Sequence, residues 1–188
     1  MNMTGACMAE SSVIVIEERQ LAELLPHRGK MLLINRVINY DIKKGTLCSE
    51  YKVTKDCLFY DPVLGGLPAW MSFEFMAQSV SAFSGISGRI YGKPPMIGFI
   101  LSVSSFEIKK QIIKAGELLR ITIVEESRVG MVSTFFCTVF SSGPDAFERS
   151  GGVPPVERTG ESEVSGARLM VMDVDNYLEF TEKGYYGK

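Results

Sequence analysis

The sequence predicts an α+β fold, a curved antiparallel sheet wrapped around one long central helix. Three observations predict it. Residues 68–86 (PAWMSFEFMAQSVSAFSGI) are apolar on nearly every face, and a helix apolar all round is buried in a core. Four segments with strand character follow it, at 96–108, 118–129, 131–141 and 167–174. The chain has 188 residues, enough for one domain with a sizeable core and too few to expect two.

The central helix is expected to run about five turns, or about 28 Å. Pro68 suits its first position, where a missing N–H costs nothing, and Gly85 and Gly88 suit its end. Glu74, Gln78 and Ser81 fall at i, i+4 and i+7 and make one narrow polar stripe. A carboxylate inside an apolar helix is costly unless it is paired or hydrogen-bonded. One reading makes Glu74 an acid–base catalyst. The other makes it a solvent-facing residue or one held by a structural partner.

In chain order, 1–15 reads as a flexible N-terminal tail. Residues 16–25 (IEERQLAELL) form a short amphipathic helix that stops at Pro26. Residues 31–40 and 46–53 read as strands. A Gly- and Pro-rich loop, 57–67, leads into the central helix. After it, 96–108 is a long strand, bent or bulged near Ser104, and 111–117 is a crossing loop turning at Ala115-Gly116. Segments 118–129 and 131–141 form a hairpin closed at Gly130. Residues 142–166 lose all periodicity and read as a mobile insertion in a second hairpin. The last strand is 167–174, and 175–188 is a C-terminal tail. The single domain is thus 16–174.

Net charge is −2 and no long basic run exists, so nucleic acid is not an expected partner. The four cysteines are scattered and the chain has one histidine, so no metal site is expected. Reduced thiols and the absence of a basic leader predict a cytoplasmic protein. Glu74 at mid-helix argues against a membrane span.

Three segments carry a resemblance: LLPHRGKMLLINRV, PAWMSFEFMAQS and IGFILSVSSFEIKKQIIKAGELLRITI. In order and spacing they resemble the hotdog-fold 3-hydroxyacyl-acyl-carrier-protein dehydratases of fatty acid synthesis, over about residues 24–140. The Pro-His-Arg stretch, the Leu-Pro-Ala entry to the central helix and the altered loop before it are most similar to the dehydratase-like proteins of aryl polyene gene clusters. The resemblance implies a 3-hydroxyacyl thioester substrate, carried on the phosphopantetheine of an acyl carrier protein or coenzyme A, and no other cofactor. It implies a homodimer, or a heterodimer with another hotdog subunit. It also implies that the first N–H groups of the helix bind the thioester oxygen.

Carried over by position, Glu74 takes the family's catalytic carboxylate role. Ala69 stands at the oxyanion glycine, and Gln78 matches a glutamine one turn on. The family's His-Phe-Pro falls on Tyr60-Asp61-Pro62, so the usual catalytic histidine is missing. A phenol is a poor base at neutral pH. Three readings stay open. His27 acts with Glu74; or Asp61 or Glu74 serves as a lone base, as in hotdog thioesterases; or the subunit is a non-catalytic partner. His27 has a structural alternative, fixing the turn after the first helix, and Tyr60 and Asp61 are expected near the pocket. Trp70, Phe73 and Phe75 are expected in the core. Arg89, Lys93, Lys109, Lys110 and Lys114 are candidates to dock a carrier protein or phosphates.

Overall fold

The computed structural model describes residues 15–93, 97–143 and 160–174. Seven strands form one antiparallel sheet: β1 (Ile16–Glu17), β2 (Arg36–Asp41), β3 (Thr46–Lys52), β5 (Ile97–Ile108), β7 (Leu118–Val129), β8 (Val132–Ser142) and β9 (Ser162–Val174). Their spatial order is β1-β2-β3-β7-β8-β9-β5, and β4 (Gly66–Pro68) and β6 (Ile112–Lys114) make a separate small pair. Two α-helices, α1 (Glu18–Leu24) and α2 (Ser72–Ile90), and two short 3-10 turns complete the described fold.

Strand alternation decides which side of the sheet meets α2. Phe135, Cys137 and Val139 of β8 are buried, as are Ala167, Leu169 and Val171 of β9, while Phe136 and Arg168 face outward. Phe75, Met76, Ala82 and Phe83 of α2 fill the concave side. The Phe83 and Phe135 rings meet at 5.7 Å, and those of Tyr51 and Phe75 at 5.0 Å. Each such buried ring contributes about 1.5–3 kcal/mol. Two hydroxyl contacts fix the helix against the sheet: Ser165 Oγ donates to Ser72 Oγ at 2.6 Å, and the Ser49 and Ser79 hydroxyls meet at 2.8 Å.

The structure corrects several expectations. The helix does not begin at Pro68. That residue closes β4, a 3-10 turn covers Ala69–Met71, and α2 starts at Ser72. Gly85 does not end the helix, which continues to Ile90. A Cβ at Gly85 would come within 2.7 Å of the Leu24 carbonyl oxygen, so this glycine lets α1 pack closely on α2. Residues 111–117 are not only a crossing loop, because Ile112–Lys114 pairs with Gly66–Pro68. Residues 31–35 precede rather than form β2. Ser162 to Gly166, placed in the mobile insertion, belongs to β9 and pairs with β8 and β5. Its remainder at 144–159, both expected tails up to residue 14 and from 175, and 94–96 lie outside the described residues.

The bulge in β5 falls where expected. Register shifts between Ser104 and Glu107, and Ser105 takes φ 52°, a left-handed conformation unusual for a non-glycine residue. Gly130 closes the β7–β8 hairpin at φ 61°.

Candidate active site

Glu74 lies in the first turn of α2, and Gln78 lies one turn on, on the same face. The Gln78 amide is buried and fully used. Its oxygen accepts from the Leu33 N–H at 2.8 Å, and its nitrogen donates to the Met31 carbonyl at 2.8 Å and to Glu74 Oε1 at 2.9 Å. Gln78 therefore stands behind the site and ties Glu74 to the segment that follows α1. Upstream in that segment, the Arg28 guanidinium donates to the carbonyls of Leu25 and His27. This folded turn brings the imidazole over α2.

His27 Nε2 stands 3.8 Å from Glu74 Oε1. The two side chains are 27% and 26% exposed, so both open onto a cavity while keeping one side on protein. His27 Nδ1 is buried and makes no hydrogen bond. The gap between the two groups exceeds a direct hydrogen bond, so they are neighbours that are not bonded to each other and both can turn to a substrate.

The cavity measures about 240 Å³ and runs between α2, β5 and β9. His27 and Glu74 line one end. Val80, Ile100 and Val171 line the middle, and Ser84 and Asp173 the other end. Asp173 is only 6% exposed. Burial raises its pKa above the ordinary carboxylate value, against the opposing pull of Arg128 and Ser84.

Other expected site residues are placed elsewhere. Ala69 cannot serve as the oxyanion donor in this arrangement, because its N–H donates to the Gln111 carbonyl at 2.9 Å. Asp61 does not line the Glu74 cavity. Its Oδ1 caps a turn, accepting from the N–H groups of Val63 at 2.7 Å and Leu64 at 3.2 Å. Tyr60 packs partly buried against the hydrophobic core and is likewise not in that cavity. Of the aromatic residues beside Glu74, Phe75 is core, Phe73 meets Phe106 edge-on at 6.4 Å, and Trp70 is 59% exposed instead of buried.

Most of the expected docking cations are engaged locally. Arg89 pairs with Glu23, Lys109 with Glu163 and Lys110 with Glu117, while Lys114 Nζ donates to the Leu64 carbonyl. Lys93 lines a shallow groove near Tyr91. Among the described residues, no three His, Cys, Asp or Glu side chains gather as a metal would require. No described helix is long and apolar enough to cross a membrane.

A curved antiparallel sheet wrapped around one long helix is the hotdog fold, and here a carboxylate and an imidazole meet over a cavity beside that helix. A family model agrees and narrows the class. The chain belongs to the ApeP-like dehydratase family, whose model matches residues 19–182. It is 28% identical over 109 residues to the 3-hydroxyacyl-[acyl-carrier-protein] dehydratase FabZ of Protochlamydia amoebophila, covering 56% of this chain and 68% of that one. Against FabZ of Chlamydia caviae it is 32% identical over 75 residues, covering 38% and 49%. Among solved structures it is similar to the dehydratase heterocomplex ApeI:P from Xenorhabdus doucetiae, at TM-score 0.69 and 19% identity, covering 87% of this chain and 95% of that one.

Proposed function

We propose that the chain dehydrates 3-hydroxyacyl thioesters borne on an acyl carrier protein, giving trans-2-enoyl thioesters, with Glu74 and His27 as the acid–base pair. The observation that carries this is their approach to 3.8 Å at one end of an apolar cavity. The acyl chain lies along the cavity, beside the two groups, with C2 against His27 Nε2 and the 3-hydroxyl against Glu74 Oε2. His27 Nε2 takes a proton from C2, and the electron pair forms the C2–C3 double bond as the C3–O bond breaks. Glu74 delivers a proton to the departing hydroxyl, which leaves as water. Glu74 Oε2 has no hydrogen-bond partner among the described residues and is the oxygen that serves this step, while Gln78 fixes Oε1. No cofactor is needed beyond the phosphopantetheine arm that carries the substrate.

The subunit works as half of a hotdog pair. Strand β5 ends the sheet and has β9 as its strand partner, and it exposes Leu101, Val103 and Phe106. A long apolar edge is a template for pairing with another chain. The heterocomplex similar to this chain favours a second hotdog subunit as partner over a second copy.

The test is mass spectrometry of a 3-hydroxyacyl-carrier-protein thioester incubated with the chain alone and with a second hotdog dehydratase subunit. Loss of one water supports the reading. Release of free acid would make the protein a thioesterase. An unchanged substrate in both incubations would leave it a non-catalytic acyl-binding subunit.

A further inference from the structure

The side of the sheet turned away from α2 carries an apolar surface that dehydration does not use. Strand register fixes its members. Val124 of β7 stands opposite Phe136 of β8, and Phe136 opposite Arg168 of β9. Two further rows run parallel to this one, Ser127–Thr134–Met170 and Val129–Val132–Met172. Directly opposed residues share a face of the sheet, so these side chains form one surface. Val124, Val129, Phe136 and Met170 are exposed, and Val132 and Met172 are half-buried. Toward β3 the same face is closed, because Glu50 and Arg120, opposed in register, are both buried. The open part therefore lies at the β5 end of the sheet.

Charge and shape narrow what can cover it. Arg168 and Glu126 hold each other through two hydrogen bonds, Nε to Oε2 at 2.9 Å and Nη2 to Oε1 at 3.1 Å. The guanidinium also lies 5.1 Å from the centre of the Phe136 ring. The two charges cancel, so the surface has little to offer an acidic carrier protein or an anionic membrane. Its shape is that of strands side by side. A second sheet laid face to face fits such a surface, about 10 Å away with its strands turned by about 30°. Every copy of the chain carries the same patch, and a two-fold axis brings like onto like. Two copies stacked in this way leave both β5 edges free for a hotdog partner.

We infer that a second copy of this chain packs on this face, sheet against sheet, so that two hotdog pairs stack into a larger assembly. The contact does not depend on the proposed reaction. Its size sets its strength. Three strands at about 4.8 Å spacing and three rows along them cover about 240 Å², against about 800 Å² per partner for a stable interface. The patch is thus the apolar core of a contact, with Ser127, Thr134 and the Arg168–Glu126 pair as its polar groups. Such a contact forms reversibly, and its population rises with protein concentration.

Sedimentation velocity of the full chain, from low to high micromolar concentration, tests this. The wild type is expected to double in mass as concentration rises. Phe136→Glu and, separately, Met170→Glu put a charge in the middle of the face, and each should remove that doubling with the circular dichroism unchanged. Val103→Glu, in β5, should leave it in place. A doubling that persists in both face variants, or one that only Val103→Glu removes, would overturn the inference. So would a wild type that stays a single chain at every concentration. If that single chain instead bound neutral phosphatidylcholine vesicles and Phe136→Glu released it, the face would belong to a lipid surface and not to a second copy.

Discussion

The two ends of the cavity each hold a carboxylate, Glu74 on α2 and Asp173 on β9, and they are built in opposite ways. Glu74 is about a quarter exposed, yet one of its oxygens is held at 2.9 Å by an amide that is itself saturated. Asp173 is nearly inaccessible, yet its contacts with Ser84 and Arg128 are 3.4 and 3.5 Å. A group that moves a proton must be placed accurately and must meet substrate. A carboxylate buried behind long contacts carries a cost instead. The difference separates an end built to react, on α2, from an end on β9 where burial outweighs pairing.

The largest effect should come from Glu74→Gln, which keeps the shape and an acceptor for Gln78 but loses the transferable proton. Turnover should fall about a thousandfold with the melting temperature unchanged. If Asp173→Asn costs more turnover than Glu74→Gln, the two ends have been assigned the wrong way round. His27→Gln should follow, at about a hundredfold in kcat. A wild-type rate in that variant would return the lone-carboxylate mechanism. Gln78→Leu comes next. It strands the Leu33 N–H and the Met31 carbonyl, at a cost of about 2–4 kcal/mol, and it frees Glu74 to rotate. The expected signature is a lower urea midpoint together with a roughly tenfold fall in kcat and little change in KM.

Much of this was legible in the sequence, and the misses have physical causes. The central helix, the β7–β8 hairpin and the bulge near Ser104 follow from periodicity and turn chemistry, which are local. Gly85 misled because glycine serves both to stop a helix and to admit a close neighbour, and only the position of Leu24 distinguishes the two. Ser162 to Gly166 was hidden because strand pairing can rescue a polar, glycine-containing segment once β5 and β8 flank it. The approach of Glu74 and His27 was readable as a candidate pair, but its distance depends on Gln78 bridging 45 and 47 residues of sequence to Leu33 and Met31. The structural role of Asp61 is legible in Asp-Pro-Val-Leu-Gly-Gly, which is turn chemistry. Asp173 left a signal too, as an acid at the inward register of ARLMVMDV, the mirror of the argument that picked out Glu74.

The smallest effect is the most direct probe of how Asp173 is held. Burial raises its pKa from the ordinary 3.8, and Arg128 and Ser84 only partly offset this, with Glu125 adding a like charge. The folded state therefore binds this proton more tightly than the unfolded chain does. Between the two pKa values stability falls as pH rises, and above the folded value the whole cost of the buried charge is present. Asp173→Asn is neutral throughout and has no such slope. The melting temperature of the variant relative to wild type should accordingly be higher at pH 7 than at pH 3. A flat or reversed difference would mean that the attraction of Arg128 outweighs burial. Asp173 would then be half of a structural ion pair, and the contrast between the two ends of the cavity would close.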